Sequence, residues 1–168
     1  ALKPDLKVSV IPSDLVLDLR KLTREYYNLM DCRSAYVNKL QGELRVAFPQ
    51  YLGVFSKLTV DTSLALLEKY AVPAAFLAAK KKTVIKIISS TARFGAAYAE
   101  KKYQAIVAAA QAASRFGHTL PSNAKLIKLF VSFIKKYDEE VDLILDAMHE
   151  LVDTQPDEPF VKQIHLIE

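Results

Sequence analysis

The sequence predicts an all-α fold: two long helices forming an antiparallel coiled coil, capped by a bundle of shorter helices. Three observations carry this. The 168 residues include only 4 glycines while 51 % are hydrophobic, and much of that share is alanine and leucine, which favour helix over sheet. Two stretches, 13–48 and 121–153, repeat apolar residues at steps of three and four, the spacing of a heptad seam. Pro12, Pro49, Pro73 and Pro121 fall at the edges of apolar stretches and not inside them, as helix starts and stops require.

Residues 1–12 read as an N-terminal arm. Lys7-Val8-Ser9-Val10-Ile11 alternates weakly, and Pro12 holds Ile11 extended. Ser13 or Asp14 can then cap a helix. Along the first long helix, 13–48, Leu15, Leu19, Leu22, Tyr26, Leu29, Arg33, Tyr36 and Leu40 form the seam, which then shifts by one residue to Leu44, Ala47 and Phe48. Such a helix is about 50 Å long and must bury its stripe against a partner. Gly42 weakens its interior by about 1 kcal/mol, and Pro49 ends it. Arg33 is the one charge in the seam. A guanidinium there needs a partner, and Glu140, Asp142 or Asp146 can supply one. Otherwise Arg33 marks a place where the helices splay, or it fixes their register.

Residues 49–120 form the helical cap region. A connector over 50–59 carries Tyr51, Leu52, Phe55 and Leu58. A short helix is expected from Thr62 to Tyr70, with Asp61 as N-cap, and another from Ala74 to Ala79, with Pro73 at its first turn. Lys80-Lys81-Lys82 follows. Val84, Ile85, Ile87 and Ile88 suit helix or strand over seven residues. Helix is the reading adopted, because the neighbours are helical and no pairing strand is evident. An alanine-rich helix spans 94–114, burying Tyr98, Tyr103, Ile106, Val107 and Ala110, and Gly117 stops it. Pro121-Ser122-Asn123 starts the second long helix, 121–153, with the stripe Leu126, Phe130, Phe133, Tyr137, Val141, Ile144, Met148 and Leu151. Residues 154–168 read as a linker toward a further, C-terminal domain, and both ends of the chain look cut from a longer protein.

Composition narrows the function classes. Cys32 is the single cysteine, so an internal disulfide and a cysteine metal cluster are excluded. No apolar run reaches the ~20 residues of a membrane span, and the N-terminus lacks a signal-peptide layout. A cytoplasmic setting and no membrane partner are expected. No glycine-rich phosphate loop, nucleophile elbow or dinucleotide fingerprint occurs. Asp138, Glu139, Glu140, Asp142, Asp146 and Glu150 crowd one helix, where an acidic face more simply solvates it. His118, His149 and His165 are scattered. The eight tyrosines suit packing. No catalytic residue, metal or cofactor is expected in this chain.

Charge is uneven. Residues 61–120 hold 9 basic and 3 acidic side chains, against 5 and 10 in 121–168, so the middle is the basic part. Lys80, Lys81, Lys82 and Lys86, with Arg93, Lys101 and Lys102, would attract a phosphate backbone. A solvated helix face is the plain account of the same residues. Arg20, Arg24 and Arg33 of the first long helix are further candidates, and flanking charge is the plain account there.

The run Leu19-Arg20-Lys21-Leu22-Thr23-Arg24, then Arg33, Asn38-Lys39-Leu40, Leu44 and Phe48-Pro49, together with Ala65-Leu66-Leu67-Glu68-Lys69-Tyr70-Ala71-Val72-Pro73, resembles the central region of bacterial insertion-sequence transposases related to the Piv DNA invertase. The terminus Gln163-Ile164-His165-Leu166-Ile167-Glu168 is similar to the lead into that family's C-terminal domain. The resemblance implies a coiled-coil spacer between an upstream RuvC-like nuclease domain with four carboxylates and a downstream domain with a catalytic serine. Neither set carries over, because Asp5, Asp14 and Asp18 lack the carboxylate spacing and the serine would fall beyond Glu168. The resemblance also implies self-association and contact with DNA and a guide RNA. Two other readings stand beside it: a purely structural dimerisation module, and an unrelated helical enzyme or regulatory domain.

Overall fold

The computed structural model describes residues 13–92, 94–116 and 119–154. Among these, the chain is all-α, with six helices and no strand: α1 (Asp14–Ala47), α2 (Asp61–Tyr70), α3 (Pro73–Leu77), α4 (Lys81–Thr91), α5 (Ala96–Phe116) and α6 (Pro121–Asp153), with a 3-10 turn at Pro49–Gly53. The expected arm, the terminal linker, Gly117 and Arg93 lie outside the described residues. Pro49 ends α1 as expected. The ambiguous apolar run 83–89 is helical, inside α4. Val60, not Asp61, occupies the N-cap of α2, and no side chain caps it. Asp61 sits in the first turn, where its carboxylate meets the positive end of the helix.

The chain divides into two compact units, Asp31–Asp138 and a second made of Ala1–Met30 with Glu139–Glu168. The larger has a continuous core. Leu40, Leu44 and Ala47 of α1, Phe48 just after it, Tyr51, Val54 and Phe55 of the connector, Leu64, Leu66 and Leu67 of α2, Phe76, Val84 and Ile88, Ala99, Ile106 and Ala110 of α5, and Ile127, Val131 and Ile134 of α6 are all buried. An aromatic knot lies within it: Tyr51 meets Phe48, Phe55 and Phe76 at ring-centroid distances of 5.2, 5.9 and 5.8 Å. In the same unit Tyr36 stacks on Phe133 at 4.5 Å and touches Phe130 and Tyr137. Asn123 donates to Glu43, and its side-chain oxygen accepts from the Leu120 N–H at 2.6 Å. That contact caps the start of α6 in the manner of a third-position side chain reaching back. The partners 33–138, 36–133 and 43–123 run in opposite order, so these segments of α1 and α6 are antiparallel.

The expected stripe of α6 needs correction. Leu126 is 36 % exposed, and Phe130, Phe133 and Tyr137 are half-buried, while the neighbouring line Ile127, Val131 and Ile134 is the fully buried one. Two apolar lines run side by side on this helix. The first, Ile127, Val131 and Ile134, belongs to the buried core cluster, and the second meets Tyr36 of α1 through Phe130, Phe133 and Tyr137. In the smaller unit Leu15 and Val141 are buried, whereas Leu19, Leu22, Tyr26, Leu29, Ile144, Met148 and Leu151 are half-covered.

Tyr51 carries a pH dependence. Its hydroxyl donates to the Ser63 carbonyl at 3.2 Å and accepts from the Ser63 hydroxyl at 3.3 Å. Burial pushes its phenol far above the ordinary tyrosine range, and the Ser63 hydroxyl opposes this only in part. Burial also raises Tyr70, and burial first, then Cys32 and Tyr36, raises Tyr137. Each raised phenol is neutral in the folded chain where the unfolded chain has already ionised. Their contribution is therefore intact below pH ~10 and falls as pH climbs through and above that value. Urea unfolding between pH 8 and pH 11 is expected to show this loss, with a shallower slope in Tyr51→Phe.

Candidate nucleic-acid interface

The basic middle of the chain folds into α4 and the first turns of α5. On α4 the buried stripe is Val84 and Ile88, so helical spacing sends Lys82, Lys86, Ser89 and Ser90 to the exposed side. On α5 the buried stripe is Ala99, Ile106, Ala110 and Ala113, which leaves Lys101 exposed. Lys81 joins the two helices. Its ammonium lies 2.6 Å from Glu100 and 5.4 Å from the centre of the Tyr103 ring. Its hydrogen bond is the main reason the Glu100 carboxyl titrates below its usual range. The start of α4 is thereby fixed beside Lys101. Lys80, Lys82, Lys86 and Lys101 are exposed, and none has an ion-pair partner among the described residues.

The other sequence-predicted contacts separate into different environments. Lys102 turns inward: its ammonium donates to the Val54 carbonyl and lies 5.1 and 5.6 Å from the centres of the Phe55 and Tyr98 rings. A cation held between two aromatic faces is a structural tie. Arg33 is internal as well. Its Nε and Nη2 grip both carboxylate oxygens of Asp138, the bidentate geometry of a strong guanidinium–carboxylate pair. That partner lies two positions before Glu140, the nearest acid expected from the sequence, and next to Tyr137, which meets Tyr36 of α1. Arg20 and Arg24 are exposed beside Val16, Leu19 and Thr23 in the smaller unit.

Lys102→Met keeps the aliphatic stem and removes the charge and the hydrogen bond. It is expected to cost about 1–2 kcal/mol in urea unfolding, with nucleic-acid affinity unchanged.

No family model, characterised protein or solved structure matches the chain. Among the described residues, no group of three His, Cys, Asp or Glu side chains is placed to hold a metal ion, and no helix is long and apolar enough to cross a membrane. Sequence reasoning missed a groove in the larger unit, lined by Val37, Gln41, Arg45, Leu52, Phe55 and Lys57 with the turn that follows. Its residues come from α1 and from the irregular connector, so no spacing in the chain announces it.

Proposed function

We propose that the chain is the central scaffold of a DNA transposase of the kind its sequence resembles, without catalytic residues of its own. In this reading α1 and α6 pair as an antiparallel coiled coil, the chain self-associates, and the lysine face of α4 and α5 contacts DNA or a guide RNA. The observation that carries the contact role is the set of exposed, unpaired ammonium groups of Lys80, Lys82, Lys86 and Lys101, while Lys81, Lys102 and Arg33 are occupied internally. Self-association is supported by the smaller unit. Its seam is only half-covered, and Leu17, Tyr27 and Leu143 are 39 %, 63 % and 63 % exposed, an apolar excess that a further helix face would cover.

Binding to duplex DNA and to structured RNA, measured at about 50 mM and about 200 mM salt, tests the contact role. The triple change Lys82→Glu, Lys86→Glu and Lys101→Glu is expected to weaken binding about 10- to 100-fold and to flatten its salt dependence. Wild-type chain that fails to bind either nucleic acid at low salt would end the contact role. The half-covered seam and the exposed Leu17, Tyr27 and Leu143 of the smaller unit suit equally a second reading, a purely structural dimerisation module. Under it the charge reversal changes nothing, and sedimentation still reports a dimer. A monomer at all concentrations would remove self-association from both readings.

A further inference from the structure

The groove that sequence reasoning missed has a definite chemistry. Val37, Leu52, Phe55 and Leu58 supply apolar surface, and Gln41, Arg45, Ser56, Lys57 and Thr59 supply polar groups. The two charged side chains are both cations, and no carboxylate lines the groove. Arg45 and Lys57 are exposed and have no ion-pair partner among the described residues. The groove measures about 450 Å³, within the range of small-molecule sites, roughly 300–1,000 Å³.

The backbone adds a second, independent feature. Between the 3-10 turn and α2, no hydrogen bond from the N–H groups of residues 56–59 to a backbone carbonyl or a side chain is found among the described residues. The segment is nevertheless pinned at its start. The Val54 carbonyl accepts from Lys102, and Phe55 is buried between Tyr51 and the Lys102 ammonium. Successive free N–H donors beside two unpaired cations favour an anion, and the guanidinium of Arg45 suits a phosphate in particular.

We propose that this groove binds a small organic phosphate, with the phosphate monoester at Arg45 and Lys57 and its apolar group against Val37, Leu52, Phe55 and Leu58. The site is separate from the lysine face of α4 and α5, and it stands or falls independently of the transposase reading.

Phenyl phosphate, inorganic phosphate and phenol are the probes, titrated into the full chain while the amide NMR signals of residues 55–59 are followed. Phenyl phosphate is expected to shift those signals saturably, with inorganic phosphate about tenfold weaker for want of the apolar contact, and phenol without saturable effect. The double change Arg45→Gln and Lys57→Gln, at two exposed positions, is expected to weaken phenyl phosphate at least tenfold. Lys82→Glu with Lys86→Glu should leave it unchanged. Phenyl phosphate that shifts the lysine-face amides but not those of 55–59, or binding equal in wild type and the double variant, would overturn the proposal. Phenol binding as tightly as phenyl phosphate would overturn it as well.

Discussion

Phe48→Ala is expected to cost about 3–5 kcal/mol, the largest loss among single changes considered for this chain. Phe48 is fully buried at the end of α1, and its ring lies 5.2 Å from Tyr51 and 5.7 Å from Phe76. Those contacts join α1 to the connector and to α3. The cavity cannot close easily, because Tyr51 is held by two hydrogen bonds to Ser63 and so cannot swing into the space. A chain of this size has about 5–15 kcal/mol in total. The variant should therefore unfold at markedly lower urea concentration, with loss of near-ultraviolet tyrosine signal. Phe48→Leu, which keeps most of the volume, should cost less than half as much. Equal stability of Phe48→Ala and wild type would mean that this core is not assembled as described.

Tyr36→Ala is the second large effect, about 2–3 kcal/mol. The ring is half-buried, so the loss is smaller than for a core aromatic. It is, however, the meeting point of four side chains: Phe133 stacked at 4.5 Å, Phe130 and Tyr137 at 6.1 and 5.8 Å, and the Lys39 ammonium 4.6 Å from its centre. Removing it leaves Arg33–Asp138 as the main side-chain tie at that level of α1 and α6. Tyr36→Phe, which keeps the stack, should be near neutral. The Tyr137 phenol provides a second readout. Burial and then Cys32 and Tyr36 raise its pKa, so an ultraviolet titration of Tyr36→Ala should find it nearer its ordinary value.

These two aromatics mark how much of the molecule was legible beforehand. Tyr36 belonged to the expected seam, and it meets Phe130, Phe133 and Tyr137, which were also expected to pair. Phe48 was read as the point where the seam shifts, and the structure places it in the core of the larger unit. The candidate contacts were less legible. Seven lysines and arginines in the basic middle look alike in sequence, yet Lys81 and Lys102 are committed to internal partners while Lys82 and Lys86 face water. A lysine stem is long enough to reach either environment. The choice depends on whether a carboxylate or an aromatic face from a distant segment lies within reach.

Composition and periodicity by themselves determined that the chain is helical and that its two long apolar stretches carry stripes at heptad spacing. These are local properties: heptad spacing, proline at helix boundaries and scarce glycine act within a few turns of the chain. The tertiary structure alone decided which of two adjacent stripes on α6 is deepest, that Asp138 receives Arg33, and that Arg45 and Lys57 border one groove. Each of these depends on which surface arrives from a distant part of the chain. Ile127 lies wholly inside the core cluster to which distant segments contribute, while Leu126, one position away on the same helix, is 36 % exposed.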